Sequence, residues 1–377
     1  MIYLSRPCID YREIRSVAKI LKSGWLSSGD MVREFENKFA EFIGVKYAIS
    51  LNSCASALQL AIQVQELKGE IILPSFTFIA SANAVINAGC IPRFVDIEYD
   101  SCNMDFEKVE ALINEKTVAI MPVHYAGQSC NMTKIKAIAK KYGLIIIEDS
   151  AEAAGAMFGG KKTGSFGMGC FSFFSTKNIT CGEGGMITTN NRRLRDKILA
   201  YSSHGIKKMA IAKNKPNWFR EAKYAGFNYR MSNILAAIAM IQLSKIEVMN
   251  NKRRSLARYL SKNLKELEEI DLPFEDPHCF HVYQMYTIKL DKKINRDLFV
   301  GNLRKSGIEA SVHFYPPLHK QRLYKRYVTH KDNLSVTERV SSSIVTLPLY
   351  PDLLKKDLDY IVLKIKEFLK KKRDKNY

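Results

Sequence analysis

The sequence predicts an α/β protein with a mostly parallel central sheet, followed by a smaller C-terminal α+β domain. Short apolar runs alternate with helical patterns through the first 150 residues, as in successive βαβ units. One of these runs, Leu144 to Ile147, is continuously apolar, which is typical of a strand buried on both faces. From about residue 255, helices mixed with strands replace the alternation.

The first elements are two helices, predicted at 11–23 and 31–43 from apolar side chains at helical spacing and separated by GWLSSG. Strands and helices then alternate as far as the long apolar strand. The predicted strands are 47–51, 71–73, 93–97 and 117–125. The predicted helices are 53–64, 79–89, 105–114 and 132–142.

After residue 150 the pattern changes. An aromatic-rich strand containing Phe171, Phe173 and Phe174 is predicted to run into Lys177, and a turn rich in glycine precedes the strand 185–189. Helices follow at 192–205 and 232–260, the second long enough to connect two domains, and a strand lies within 281–290. We therefore predict a large domain, 1–250, with an N-terminal helical arm, and a small domain, 251–377.

Composition places the chain among globular proteins, because 46% of its 377 residues are hydrophobic and 25% are charged. No apolar run approaches the roughly 18 residues needed to span a bilayer, so we expect no membrane span. The N-terminus lacks a basic segment followed by an apolar one, which predicts a cytoplasmic location.

The eight cysteines are scattered, with no CxxC pair, which predicts reduced and mostly buried thiols. His278 and His281 have the spacing of metal ligands, but no cysteine or acidic motif of metal-binding type accompanies them. We therefore predict no metal site.

The formal net charge of +20 is compatible with nucleic acid, an anionic membrane face or phosphorylated substrates. The most basic run is 364–377, which continues an amphipathic helix, and we interpret it as a solvated helix end. The sequence has no nucleic-acid-binding motif, so we expect no nucleic-acid partner.

Glu148 and Asp149 end the apolar strand, at the edge where ligands bind in open α/β sheets. Lys177, held between a strand and a glycine-rich turn, can be desolvated, which lowers a lysine's pKa and makes it nucleophilic toward aldehydes. Pyridoxal phosphate (PLP) requires such a pair: a lysine to form a Schiff base and an aspartate to keep the ring nitrogen protonated. A solvated lysine and a helix-capping aspartate are the alternatives.

The helix predicted from residue 53 begins with small residues, so its backbone N–H groups can approach a phosphate, assisted by the helix dipole. Helix capping by Asn52 and Ser53 explains the same residues equally well.

With these features in place, the chain resembles the DegT/DnrJ/EryC1/StrS aminotransferases, PLP enzymes of fold type I that act mostly on nucleotide-linked keto sugars. The resemblance covers essentially the whole chain. The segments that carry it are SGWLSSG (23–29), 35–58, PSFTFIASANAV (74–85), FVDI (94–97), EDSAEAAGA (148–156), FSFFSTKNITCGEGGM (171–186), SHG (203–205), 227–243, PPLH (316–319) and LPLYP (347–351).

The resemblance implies roles around the ring of the cofactor. Lys177 would bind PLP covalently and move the proton between substrate and cofactor, while Asp149 would bind the pyridine nitrogen. Phe78 would stack on the ring, and Glu152 would sit near its phenolic oxygen. Many relatives have Gln at that position, and the carboxylate is more similar to the enzymes that make perosamine-type sugars.

The resemblance also implies a phosphate site formed by Ser53, Cys54 and Ala55, with a hydroxyl from Ser172. Asn228 would reach the phosphate from the neighbouring subunit, which implies a homodimer with shared active sites. The residues expected on the substrate side, where packing or capping roles are alternatives, are Tyr229, Arg230, His313 and His319.

The expected reaction is transfer of the amino group of L-glutamate to a nucleotide-linked 4-keto-6-deoxy sugar, giving a 4-amino sugar nucleotide for polysaccharide or glycan biosynthesis. SGWLSSG is more similar to members that act at C4 than at C3. The alternatives are a 3-keto sugar nucleotide or cyclitol ketone and, more remotely, a non-catalytic PLP-binding regulator.

Overall fold

The computed structural model describes residues 1–206, 220–329 and 333–374, with side chains as far as Lys372. The helices are α1 (Tyr11–Ser23), α2 (Asp30–Ile43), α3 (Cys54–Gln63), α4 (Ile79–Asn87), α5 (Phe106–Leu112), α6 (Met132–Tyr142), α7 (Arg192–Tyr201), α8 (Asn233–Leu264), α9 (Arg296–Lys305), α10 (Ser335–Ser343) and α11 (Lys355–Asp374). The strands are β1 (Tyr47–Leu51), β2 (Glu70–Pro74), β3 (Ile91–Val95), β4 (Thr117–Ile120), β5 (Ile145–Asp149), β6 (Met157–Phe158), β7 (Lys161–Lys162), β8 (Met168–Ser172), β9 (Gly185–Thr189), β10 (Ile270–Asp271), β11 (Cys279–Phe280), β12 (Tyr286–Leu290) and β13 (Ile344–Leu347).

The central sheet has seven strands in the order β1-β9-β8-β5-β4-β2-β3. The pairs β3–β2, β2–β4, β4–β5 and β5–β8 are parallel, whereas β9 is antiparallel to both of its neighbours. Parallel neighbours need a long crossover, and 173–184 is too short to supply a helical one, so the chain reverses direction between β8 and β9. The predicted α/β fold with a mostly parallel sheet is confirmed.

Apolar side chains on both faces of this sheet form its core. Leu51 on β1, Leu58 on α3 and Ile147 on β5 are buried together on one face. On the other side, Phe39 of α2 packs edge-on against Phe171 of β8. Full burial of such a side chain contributes about 1.5–3 kcal/mol, so the strand ends that carry polar residues are fixed on a rigid support.

A second, antiparallel sheet, β10-β12-β13, packs with α9 and α11 in the C-terminal part of the chain. Helix α8 extends from the core of the first sheet into this second core, since it contributes Ile246 to one and Leu260 to the other. It passes through position 250, and the division into domains 1–250 and 251–377 stays a prediction.

Several elements differ in length from their prediction. The strand predicted at 117–125 ends at Ile120, because Pro122 has no N–H and the chain then enters a short 3-10 turn, Tyr125–Gly127. The strand expected to run through Phe174 ends at Ser172. Most of the predicted surface loop 206–226 lies outside the described residues.

All eight cysteines are free thiols and five are buried, which confirms their prediction. In the described ranges, no helix is long and apolar enough to cross a membrane, and no group of three or more His, Cys, Asp or Glu residues could hold a metal ion.

The start of β9 touches the start of α3. A Cβ added at Gly185 would lie 2.3 Å from the carbonyl carbon and oxygen of Ser53 and 2.6 Å from the backbone nitrogen of Cys54. Because backbone atoms cannot move aside as a flexible side chain can, only glycine permits this approach. Gly185 therefore brings the connection 173–184 against the N-terminus of α3.

We predict that Gly185→Ala lowers the free energy of unfolding by about 1–3 kcal/mol, because the added methyl group forces β9 and α3 apart. Gly301→Ala is the matched control: a Cβ added at Gly301, in α9, would meet no atom within 4 Å, and alanine should stabilise the helix there by up to about 1 kcal/mol. Thermal unfolding of the three proteins tests this. Equal stability of Gly185→Ala and the wild type would contradict it.

Candidate active site

Asp149 is the last residue of β5 and its carboxylate is buried. The carboxylate accepts hydrogen bonds from Ser81 Oγ of α4 at 2.7 Å and from the backbone N–H of Ala151 at 3.1 Å. Burial raises the pKa of Asp149, and these two hydrogen bonds only partly oppose that effect. An ionised Asp149 is therefore costly unless a cation sits against it.

Lys177 lies in the connection between β8 and β9, where its N–H donates to Phe174 O at 3.0 Å and closes a turn. Its Nζ is 3.4 Å from Glu152 Oε1, and the two side chains are only 17% and 9% exposed. The second oxygen of Glu152 accepts from the N–H of Ala126 at 2.9 Å, which fixes the carboxylate. The charges of Glu152 and Lys177 both act on the pKa of Asp149, so the three groups belong to one site.

The start of α3 forms another side of this site. Ser53 caps the helix by accepting from Ser56 N–H at 3.1 Å, which confirms the capping alternative without excluding a ligand. The N–H groups of Cys54 and Ala55 lie in the first turn of α3, where backbone N–H groups have no partner within the helix. Asp149 and Lys177 act electrostatically on the Cys54 thiol, whose pKa is raised mainly by burial. The helix N-terminus is thus adjacent to both.

Two further predicted residues complete the surroundings. Ser172, the buried last residue of β8, lies opposite Gly185 in the sheet and therefore close to the start of α3. Phe78 precedes α4 and is 60% exposed even though the strand before it is buried. It lies three residues before Ser81, the partner of Asp149, so an uncovered aromatic face adjoins the site.

Asn228, Tyr229 and Arg230 lie beside the turn between β1 and α3. Tyr229 O accepts from Asn52 N–H at 2.8 Å, and the Tyr229 ring stacks on Phe227 with centroids 4.6 Å apart. Arg230 Nη1 donates to Ser203 Oγ at 3.0 Å, and both Arg230 and Asn228 are exposed. These residues therefore border the helix N-terminus from the solvent side.

The two predicted histidines have different surroundings. His313 Nδ1 lies 2.7 Å from Thr346 Oγ1, and burial lowers the pKa of the ring. Glu152 and Lys177 also act on that pKa, so His313 lies near both groups, and its contact with substrate stays a prediction.

His319 is buried, with Nδ1 2.7 Å from Ser75 Oγ and Nε2 3.1 Å from Glu338 Oε1. With both ring nitrogens engaged, His319 joins the loop after β2 to α10. This is the packing role considered as the alternative, and a substrate contact by His319 stays a prediction.

Three roles at this site were not predicted from the sequence. Ser81 is a buried polar residue of α4, and a serine on the buried face of a helix could have indicated a buried hydrogen-bond partner. Ala126 adopts a left-handed conformation with φ 53°, which no pattern in the sequence indicates. Glu148 accepts three backbone N–H groups, from Gly164, Phe166 and Gly167, each at 2.8 Å, and so anchors the loop before β8.

The described groups fit PLP. The buried carboxylate of Asp149 forms no ion pair with any described side chain and suits a protonated ring nitrogen, and Lys177 is positioned to reach an aldehyde. The helix N-terminus suits a phosphate, and the exposed ring of Phe78 suits an aromatic face. The fold and this site define a PLP-dependent transferase.

Comparison with known proteins gives the family. The sequence profile of the DegT/DnrJ/EryC1/StrS aminotransferase family matches residues 7–366. The chain is 37% identical to GDP-perosamine synthase of Caulobacter vibrioides over 98% of both chains. It is 34% identical to the spore coat polysaccharide biosynthesis protein SpsC of Bacillus subtilis, over 97% of this chain and 96% of that one.

Among solved structures, the putative sugar aminotransferase Spr1654 from Streptococcus pneumoniae is similar in both cofactor forms. Its pyridoxamine phosphate (PMP) form has a TM-score of 0.92 at 27% identity, covering 98% of this chain and 100% of that one. Its PLP form has a TM-score of 0.90 at 26% identity, covering 98% and 99%. The chain belongs to the DegT/DnrJ/EryC1/StrS aminotransferase family, and it is a PLP-dependent sugar aminotransferase of sugar or polysaccharide biosynthesis.

The raised pKa of Asp149 has a consequence for the cofactor-free protein. Because the folded protein holds this proton more tightly than the unfolded chain, the stability contributed by protonated Asp149 is lost as pH rises through the raised pKa. We predict that cofactor-free Asp149→Asn is more stable than cofactor-free wild type at neutral pH. The difference should shrink as pH falls toward about 4, near the ordinary pKa of aspartate. Thermal unfolding against pH measures it.

Asp96→Asn is the control of opposite sign. Although Asp96 is buried, hydrogen bonds from Lys108 and Thr337 lower its pKa. Its ionised form therefore stabilises the fold at neutral pH, and Asp96→Asn should be the less stable protein there, with the deficit shrinking as pH falls. If Asp149→Asn were destabilised at neutral pH in the same way, the unpaired buried carboxylate would be the wrong description of Asp149.

Proposed function

We propose that this chain transfers the amino group of L-glutamate to a nucleotide-linked 4-keto-6-deoxy sugar, producing a 4-amino sugar nucleotide for polysaccharide or glycan biosynthesis. The observation that carries the proposal is the approach of Lys177 Nζ to Glu152, at 3.4 Å, beside the buried carboxylate of Asp149. This arrangement puts a proton-transfer group and an anion for the ring nitrogen in one enclosed site.

PLP, when bound, supplies an electron sink for the carbon that loses its proton. Asp149 maintains the positive charge of the ring nitrogen, and Ser81 and Ala151 hold its carboxylate in one orientation. Lys177 would hold the aldehyde carbon of the cofactor and would move the proton between substrate and cofactor as a general base and acid. Glu152, fixed by Ala126 N–H, orients Lys177 Nζ and would lie near the phenolic oxygen of the cofactor.

The start of α3 holds the phosphate in this proposal. The N–H groups of Cys54 and Ala55 lie at the positive end of the helix dipole, and Ser53 and Ser172 would add hydroxyl groups to the phosphate site. Ala55 has no hydroxyl of its own, so its contribution is limited to the backbone. Gly185 maintains the close packing that keeps Ser172 and α3 together.

The sugar nucleotide then approaches from the exposed side. Arg230 presents a guanidinium group next to the helix N-terminus, which suits a diphosphate. Tyr229 offers a ring surface, and His313, whose pKa is influenced by Glu152 and Lys177, would contact the sugar. Amination at C4 is supported by the resemblance of SGWLSSG, by the carboxylate of Glu152 and by the similarity to GDP-perosamine synthase.

The reaction is tested in two half-reactions that are followed by visible absorbance. L-Glutamate should convert the PLP form of the purified protein to the PMP form. UDP-, dTDP- and GDP-linked 4-keto-6-deoxy sugars are then added one at a time, and we expect one of them to restore the PLP spectrum. Lys177→Ala, reconstituted with PMP, is the control and should not respond.

Two results would contradict the proposal in different ways. If glutamate converts the protein but no 4-keto sugar reverses the change, the acceptor is another ketone, and a 3-keto sugar nucleotide or a cyclitol ketone is tried next. If no amino donor changes the spectrum of PLP-loaded protein, the chain resembles a PLP-binding regulator more than a transaminase.

We further propose a homodimer in which Asn228 of a second copy reaches the phosphate. Exposed apolar side chains surround the site: Phe78 is 60% exposed, Phe174 is 44% exposed and Ile79 is 40% exposed. Phe174 belongs to the turn that holds Lys177, so a second copy that covers it would also enclose the lysine. Exposed Asn228, on the solvent side of α3, is free to extend toward the other copy.

Complementation tests the shared site. We predict that Lys177→Ala and Asn228→Ala are each nearly inactive, and that subunits mixed through unfolding and refolding recover about a quarter of wild-type activity, because one site of each two-fold heterodimer is intact. Lys177→Ala mixed with Asp149→Ala is the control, since both lie in one subunit's half of a site and every heterodimer site is then damaged. Recovery in the control alone, or in neither mixture, would contradict a site built across the interface.

A further inference from the structure

Sugar transamination does not account for a net charge of +20. Part of this charge is concentrated on two helices of the C-terminal part, α9 and α11, which lie away from Lys177 and Asp149 in the sequence and pack in a separate core. On α9 and on α11 as far as Lys372, there are ten lysines and arginines but only four acidic residues.

The two helices lie antiparallel and side by side. Phe299, near the start of α9, packs edge-on against Phe368, near the end of α11, with ring centroids 5.2 Å apart. At the opposite end, Tyr360 Oη donates to Ser306 O, just after α9, at 3.1 Å. Leu303 and Ile365 are fully buried beneath them, so the helices share one inner face and one outer face.

The outer face combines apolar and basic side chains. Leu298 is 58% exposed, Leu363 is 49% exposed and Tyr360 is 38% exposed. The exposed cations beside them are Lys305, Lys366 and Lys370. These six residues are named the α9–α11 face.

Most acids of the two helices are already neutralised. Asp297 pairs with Arg296, Asp359 with Lys355, and Glu367 with Lys364, each on its own helix. Within the described side chains, no acid pairs with any of the three lysines of the α9–α11 face. The face therefore presents a positive potential around three exposed apolar groups.

We propose that the α9–α11 face docks this protein on an anionic lipid surface. Its lysines would contact acidic headgroups, each strengthening attachment about fivefold. Leu298, Leu363 and Tyr360 would enter the boundary between headgroups and acyl chains. Exposed leucines favour a lipid surface over a nucleic acid, whose backbone offers phosphates but no apolar layer for them.

Cosedimentation of the full-length protein with vesicles tests the proposal. We expect binding to vesicles of phosphatidylcholine mixed with phosphatidylglycerol, weakening as salt rises, and none to phosphatidylcholine alone. Lys366→Glu combined with Lys370→Glu should weaken binding at least about 25-fold, since two of the face's charges are lost and reversed. Leu363→Ser should weaken binding while leaving its salt dependence unchanged.

The matched control is Lys136→Glu combined with Lys140→Glu, which makes the same charge change on exposed positions of α6. The control should bind anionic vesicles nearly as well as wild type, and all variants should keep wild-type transaminase activity and thermal stability. Equal binding to neutral vesicles, an equal loss in the α6 control, or no vesicle binding at low salt would overturn the proposal. Retention on duplex DNA but not on vesicles would assign the charge to nucleic acid and overturn it as well.

Discussion

A carboxylate buried without an ion-pair partner among the described side chains is the constraint around which this active site is built. Asp149 lies at the end of a strand with neighbours on both sides, where desolvation raises its pKa. Ser81 and Ala151 provide hydrogen bonds that orient the carboxylate but do not remove its cost. A protonated ring nitrogen would remove that cost, which would couple the binding of PLP and the stability of the fold through one residue.

The same sheet positions the other groups through its antiparallel strand β9. Because β9 is antiparallel to β8, the connection 173–184 returns over the carboxyl end of the sheet and carries Lys177 to Glu152. The contact of Gly185 with the backbone of Ser53 and Cys54 then joins this connection to the start of α3. Lysine, carboxylates and helix N-terminus are thus held by backbone packing.

Much of this arrangement could be predicted from the sequence, because the signals are local. The apolar run before Asp149, the glycine-rich turn after Lys177 and the small residues after Asn52 each mark an end of a strand or helix. The left-handed Ala126 and the His319–Ser75–Glu338 network could not be predicted, since they depend on contacts between residues distant in the chain. The end of β4 before Pro122 could have been predicted from the proline, but the apolar residues around it favoured a longer strand.

The proposed function depends on Lys177, among the many lysines of this chain, as the residue that binds the cofactor. Reduction of PLP-loaded protein with borohydride, followed by proteolysis and peptide mass mapping, locates the lysine directly. We expect a pyridoxyl-phosphate adduct on the peptide containing Lys177, and its absence when the protein is first converted with L-glutamate. An adduct on a different lysine, with Lys177 unmodified, would show that Lys177 does not bind the cofactor.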